Sequence, residues 1–174
     1  MPRVWISVGS NIDRERSINA ALTELRGLFG SLVVSPIYEA VAVGFDGEAF
    51  FNFVVGLETE LPPDVLSSEL RAIETRNGRE RNQPGVASRT LDLDLLTYGL
   101  GVTDAGGKHL PRDEIMRYAF VLAPLADVAP YERHPESGAT YRELWSAYTG
   151  DDRHQVQRLD APAWLIALPV AAAI

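Results

Sequence analysis

The sequence predicts an α+β fold with a ferredoxin-like core, a mostly antiparallel sheet with helices packed on its faces. Three observations predict it. Stretches of period-two apolar alternation and stretches of helical spacing follow one another in the order strand–helix–strand–strand–helix–strand. The length, 174 residues, suits one domain. Apolar residues make up 46% and charged residues 23%, the balance of a chain that buries a core and not of a disordered one.

Residues Arg3 to Val8 alternate, with Val4, Ile6 and Val8 on one side and Trp5 and Ser7 on the other, which predicts a strand. Gly9-Ser10-Asn11 then reads as a tight turn offering a helix cap. Ile18, Leu22, Leu25 and Phe29 stand at helical spacing before the stop at Gly30. Val33 to Ala40 and Phe50 to Thr59 read as two strands, with a loop at Val43-Gly44-Phe45-Asp46-Gly47. Pro62-Pro63-Asp64 opens a second helix with Leu66, Leu70 and Ile73 inward and Gly78 at its end. Thr90 to Tyr98 is the next strand, and Ala105-Gly106-Gly107 marks a turn. Met116 to Ala129 is expected to be helical, broken or kinked at Pro124. A capping box, Thr140-Tyr141-Arg142-Glu143, starts a last helix.

These elements place a single domain over residues 1–160 and an apolar tail over 161–174, shorter than the ~20 residues a membrane span needs. The start, MPRVWISVGSN, has too short an apolar stretch for a secretory signal, so a cytoplasmic protein is expected. The 16 basic and 24 acidic residues leave a charge of −8, which argues against a general nucleic-acid binder. Without cysteine, disulfides, thiolate zinc sites and cysteine nucleophiles are excluded. His109, His134 and His154 are scattered without metal-ligand spacing and are expected at the surface.

The strongest local signal is Arg89-Thr90-Leu91-Asp92-Leu93-Asp94. In a strand, residues two apart share a face at ~6.6 Å, so Asp92 and Asp94 would repel unless a cation sat between them. A hard divalent ion takes oxygen ligands and keeps waters that phosphate oxygens can replace. An exposed edge with chance acidic alternation is the plainer explanation of the pair alone. Just upstream, Arg71, Arg76, Arg79, Arg81 and Arg89 accompany only Glu74 and Glu80, a local reversal of charge that suits a polyanion. Solvated arginines at a helix end would explain some of these. Acid pair and basic loop together are the parts of a phosphoryl-transfer site. Asn52 interrupts an apolar strand, where a planar donor–acceptor group suits a heterocycle edge or, more plainly, nearby backbone. Phe45, Phe50 and Phe120 suit either a stacking slot or the core.

Taken together, Gly9-Ser10-Asn11, Ser35-Pro36-Ile37-Tyr38, Phe51-Asn52, Glu74 with Gly78-Arg79-Glu80-Arg81, Arg89-Thr90-Leu91-Asp92-Leu93-Asp94, and Phe120-Val121-Leu122 with Pro124-Leu125 make the chain resemble the 6-hydroxymethyl-7,8-dihydropterin pyrophosphokinases from about Val4 to Pro130. The resemblance implies an enzyme of folate biosynthesis that moves pyrophosphate from ATP to a pterin alcohol and releases AMP. It implies two magnesium ions on Asp92 and Asp94, with Arg79 and Arg89 on the transferred group. Glu74, Arg81, Leu95 and Arg112 would line the nucleotide site. Val43, Gly44, Phe50, Asn52 and Phe120 would form the pterin site. Departures from the family pattern are Val86 for a tryptophan, Pro111-Arg112 for Pro-His, Tyr118 for an arginine, and Ala40-Val41-Ala42 for Thr-Pro-Pro. A paralogue that binds pterin or nucleotide without turnover is the alternative. The expected partners are these small molecules, with no nucleic acid and no membrane, and the expected state is a monomer or weak homodimer.

Overall fold

The computed structural model of the chain describes residues 1–41, 46–78 and 90–166. In chain order, β1 (Arg3–Ser10) leads to α1 (Arg14–Phe29), then β2 (Val33–Val34), β3 (Tyr38–Ala40) and β4 (Phe50–Glu58). Next come α2 (Pro63–Arg76), β5 (Asp92–Tyr98) and a hairpin of β6 (Thr103–Ala105) and β7 (Lys108–Leu110). The remainder is α3 (Glu114–Arg117), α4 (Ala119–Val128), α5 (Tyr141–Ala147), a 3-10 turn at Asp151–His154 and β8 (Val156–Arg158). The main sheet is antiparallel in the order β5-β1-β4-β3-β8, with β2 paired to the far end of β4. The strand order of its β1-to-β5 part is that of the predicted ferredoxin-like core, in which the two βαβ halves interleave.

Alternation sorts the side chains into two apolar layers. Val4, Ile6 and Val8 of β1, with Phe53 and Val55 of β4 and Leu93 and Leu95 of β5, pack against α1 and α2. The opposite face presents Trp5, Val54 and Leu96 to α3, α4 and α5. Leu96 points to that second layer in alternation with Leu93 and Leu95, and the β1–β5 register shift between Trp5 and Ile6 then returns Tyr98 to the α1/α2 side. Such a bulge re-aims a side chain by inserting one residue. Trp5 lies flat across β4 at Gly56 and donates its indole N–H to Glu132 at 3.0 Å.

The structure corrects several expectations. Gly9 and Ser10 belong to β1, and α1 begins after Asp13, a left-handed residue (φ 45°, ψ 47°) whose side chain makes no cap bond. The span from Val33 to Ala40 is two strands, because Pro36 has no N–H to offer and Ser35 takes over the pairing. Ser35 donates its backbone N–H to Val54 O at 3.0 Å, and its hydroxyl accepts from Val54 N at 2.9 Å. The helix break after Met116 falls at Tyr118, not at Pro124, which lies inside α4. A proline costs a helix about 3 kcal/mol, while burying Val121, Leu122 and Leu125 returns about 1.5–3 kcal/mol each. At Tyr118 the chain is extended, and Asp152 caps the new helix by accepting from Ala119 N at 2.8 Å.

Residues 161–166 dock on the α1 layer. Asn19 donates to Trp164 O (2.8 Å) and accepts from Ile166 N (3.0 Å), and Trp164 stacks on Phe51 at 5.6 Å. His134 is buried, not at the surface as expected. Its Nδ1 accepts from the backbone of Glu136 (3.3 Å) and Ser137 (3.2 Å), a role that needs the neutral ring.

Two outcomes follow from this packing. A Cβ on Gly56 would stand 2.6 Å from Trp5 Cζ3, so Gly56→Ala should lower the urea-unfolding free energy by about 1–3 kcal/mol. Burial lowers the His134 pKa below its unfolded value, so its contribution to stability is complete above about pH 6.5 and is lost as pH falls toward the folded value. Thermal melts taken from about pH 7.5 down to about pH 5.5 should therefore show a larger loss for the wild type than for His134→Gln. His109 responds in the opposite direction, its pKa raised by the Glu136 contact, and it is common to both proteins.

Candidate active site

The pairing of β5, β1 and β4 sets Asp92, Gly9 and Asn52 opposite one another in a single row, with Tyr38 of β3 next along. Strands lie ~4.8 Å apart, so the aspartate and the asparagine are separated by about 10 Å of backbone. Their side chains project from the face that carries α3 and α4, since Leu93 and Phe53 occupy the other. Gly9 keeps the space between them open. A Cβ there would lie 2.9 Å from Asn52 Oδ1, 3.8 Å from Phe50 Cδ1 and 4.0 Å from Asp92 Cβ. One step down the same face, Asp94 stands opposite Ser7.

Asp92 and Asp94 line a cleft of about 320 Å³ along the free edge of β5. The sheet edge is held there by Glu74, buried on α2, whose carboxylate accepts from Leu93 N at 2.7 Å. A carboxylate on an outward N–H satisfies an edge strand without letting another strand add to it. The opposite wall is the β6–β7 hairpin. Its two-residue turn, Gly106-Gly107, has φ of 57° and 76°, values that glycine adopts without strain. From β7, Lys108 Nζ reaches Asp94 Oδ1 at 3.2 Å. Arg112 donates its backbone N–H to Leu96 O (2.9 Å) and forks onto Glu114, with Nε at 2.9 Å from Oε2. Glu114 raises the Arg112 pKa, and Asp94 adds to that effect through its charge.

The structure brings together most of the predicted residues it describes. Asp92, Asp94, Glu74, Leu95 and Arg112 border the cleft, Leu95 with its side chain in the core. Asn52 and Phe50 adjoin through Gly9. Phe120, at the start of α4, stacks on Tyr118 with ring centroids 5.0 Å apart and lines a separate recess with Ala40, Val41 and Tyr148, apart from the acid cleft. Val43, Gly44, Phe45, Arg79, Arg81 and Arg89 lie outside the described residues.

Three contributions escaped sequence reasoning. Ser10 donates its hydroxyl to Thr90 O at 2.5 Å, tying the root of the arginine-bearing segment to β1. Asn11 donates to Glu48 O at 3.2 Å, doing the same for the β3–β4 connection. The signal for both was Gly9-Ser10-Asn11, two side chains with donors placed where strand turns to helix. Lys108 is the third, marked only by being the one lysine among 16 basic residues.

The donor set suits a hard divalent ion. Among the described residues no group of three or more His, Cys, Asp or Glu could enclose a metal by itself. Magnesium asks for less, commonly one or two carboxylates plus water and substrate phosphate, and Asp92 and Asp94 on one face of an open polar cleft supply that.

Residues 5–130 match the family model described as 7,8-dihydro-6-hydroxymethylpterin-pyrophosphokinase (HPPK). The chain belongs to that family. It is 39% identical over 149 residues to the 2-amino-4-hydroxy-6-hydroxymethyldihydropteridine pyrophosphokinase of Pseudomonas aeruginosa, spanning 83% of this chain and 91% of the relative. The enzyme of the same name from Bacillus subtilis is 33% identical over 156 residues, spanning 85% and 93%. Among solved structures, wild-type Plasmodium falciparum HPPK-DHPS superposes with a TM-score of 0.73 at 12% identity, over 95% of this chain and 50% of that one, which speaks for the fold alone. By membership the chain is an ATP-dependent pyrophosphokinase, a transferase of folate biosynthesis. The predicted fold class and family are borne out.

Gly9→Ala tests the row directly. The added methyl has to displace Asn52 Oδ1, so turnover should fall at least ~10-fold in kcat/KM, while overpacking costs no more than about 1–3 kcal/mol in urea unfolding.

Proposed function

We propose that this protein transfers the terminal pyrophosphoryl group of ATP to the hydroxymethyl oxygen of 6-hydroxymethyl-7,8-dihydropterin, with magnesium, releasing AMP. The observation that carries this reading is the row Asp92–Gly9–Asn52, in which a phosphate-side acid and a heterocycle-side amide share one face across a residue with no side chain. The pterin hydroxyl oxygen forms a bond to the β-phosphorus, the bond from that phosphorus to the α,β-bridging oxygen breaks, and the hydroxyl proton leaves to solvent or product phosphate. Asn52 pairs with the pterin edge and Phe50 and Phe120 flank the ring, so the alcohol is aimed toward Asp92. Two magnesium ions on Asp92 and Asp94 would supply charge neutralisation for the phosphate oxygens. Glu74 holds those carboxylates in place by fixing the edge of β5, and Leu95 and Arg112 border the nucleotide. Arg79, Arg81 and Arg89 are assigned to the phosphates through the family motif.

A second reading, binding without turnover, draws on one observation, the guanidinium of Arg112 engaged by Glu114. The cytoplasmic location, the monomer or weak homodimer, the absence of nucleic-acid partners, and a single unit over 1–160 with an accessory tail remain part of the proposal. Among the described residues no helix is long and apolar enough to cross a membrane.

The deciding assay follows AMP by chromatography. AMP should appear only when hydroxymethyl pterin, ATP and magnesium are present together. Asp94→Ala should cut the rate by ~10²–10³-fold or more with an unchanged circular dichroism spectrum, because its side chain faces the cleft. Tight calorimetric binding of both substrates with no AMP would select the second reading.

A further inference from the structure

Lys108 has no part in the reading above, and the geometry around it is built. The tip of its hairpin is pinned to α2, where Gly106 donates its N–H to Asp64 Oδ1 at 2.7 Å. Ala105 and Leu110, on either strand, are buried in the α2-side core. Thr103 pairs with Leu110 and Ala105 with Lys108, so the hairpin has one register and the lysine one place to leave from. From there its ammonium meets Asp94 at 3.2 Å, with side chains 48% and 35% exposed. An ion pair this open to water is held weakly and exchanges readily. Arg112, the neighbouring cation, is fixed by its fork to Glu114. A lysine differs from a fixed arginine. Its ammonium is a point charge on a flexible four-carbon stem, with three donors that turn toward whichever acceptor is present.

Resting on the pyrophosphokinase reading, we infer that Lys108 is a resident counter-cation for Asp94, which gives up its place to the divalent ion and turns to the nucleotide's phosphate oxygens. In the nucleotide-free protein the lysine competes with a bare divalent cation for the same carboxylate. Once nucleotide is bound, the same positive charge faces the polyphosphate and assists. Lys108 thereby makes the metal enter with the nucleotide in preference to entering ahead of it. The two effects have opposite signs, which separates this role from a merely structural one.

Manganese, titrated by electron paramagnetic resonance, reads both arms in the intact protein. The probes are Mn²⁺ alone and Mn²⁺ with the non-hydrolysable analogue α,β-methylene-ATP. Lys108→Met keeps the apolar stem and removes the charge. It should bind Mn²⁺ alone about 3- to 10-fold more tightly than wild type, and the Mn²⁺–analogue pair about 10-fold more weakly. Lys108→Arg keeps the charge at Asp94 and should bind Mn²⁺ alone within about twofold of wild type. If Lys108→Met binds Mn²⁺ alone no more tightly than wild type, or binds the analogue pair equally well, the counter-cation role is overturned and the pyrophosphokinase reading stands. If the wild type itself fails to bind the Mn²⁺–analogue pair, both fall together.

Discussion

The arrangement depends on a missing side chain. Three antiparallel strands bring Asp92, position 9 and Asn52 into one row, and only a hydrogen at position 9 leaves the middle of that row empty. Any other residue would put a carbon 2.9 Å from the amide oxygen of Asn52, well inside contact distance. A sheet is a stiff support: β1 is hydrogen-bonded to β5 on one side and to β4 on the other, so groups set across the three strands keep their separation. Acid and amide are therefore held about 10 Å apart without a loop being asked to hold them. Ser10, the last residue of β1, and Asn11 just beyond it extend this control to Thr90 and Glu48. One short stretch of β1 thus spaces the two halves of the site and anchors the chain on either side of it.

The cleft itself is a consequence of how the sheet ends. β5 is an edge strand, and exposed edges pair with other strands unless something blunts them. Here a buried glutamate takes the Leu93 amide, and a hairpin pinned to α2 faces the edge without joining it. The space between is lined mainly by polar groups, because edge and hairpin each turn their apolar residues into the core. The bulge at Leu96 completes the wall. Leu96 itself points into the α4 layer by alternation, and its carbonyl receives the Arg112 amide, which docks the chain after the hairpin against the strand. Protection of the sheet edge and construction of a polar recess come from the same contacts.

The parts of this design with a period were legible in the sequence. Leu93 and Leu95 alternate with Asp92 and Asp94, and a two-residue period leaves little freedom about which face carries the acids. The α1 and α2 helices, the Gly106-Gly107 turn and the Thr140–Glu143 capping box were legible because each rests on chemistry within a few residues. What depends on distant partners was not. Pro124 is the stronger helix breaker by local propensity, yet the break sits at Tyr118, where Asp152, Tyr148 and Phe120 supply the contacts. The strand β8 is three residues of unpatterned sequence that pair with β3 by position. His134 looked like surface because its burial comes from packing such as the edge contact with the buried ring of Tyr141, which no local pattern signals. Lys108 was invisible for the same reason, since its partner Asp94 is fourteen residues away across the cleft.

Arg112 stands where the family usually has a histidine, and its engagement with Glu114 does not spend it. A guanidinium carries five N–H donors, and the fork to Glu114 runs through Nε and one terminal nitrogen. The other terminal nitrogen keeps both of its protons. Glu114 therefore acts as an orienting group. It fixes the plane of the guanidinium, removes the entropy that a long side chain would otherwise lose on binding, and leaves a donor pair for an oxygen anion in the cleft. The lowered net charge is the cost, since one carboxylate offsets the arginine. That cost is bounded, because Lys108 lines the same cleft and, on the proposed function, a phosphate chain there would meet a second cation. On the proposed function, an arginine fixed by Glu114 and an exposed lysine would divide between them what a row of identical cations would do less selectively: the arginine would supply geometry, and the lysine would distinguish a nucleotide carrying its metal from the metal alone.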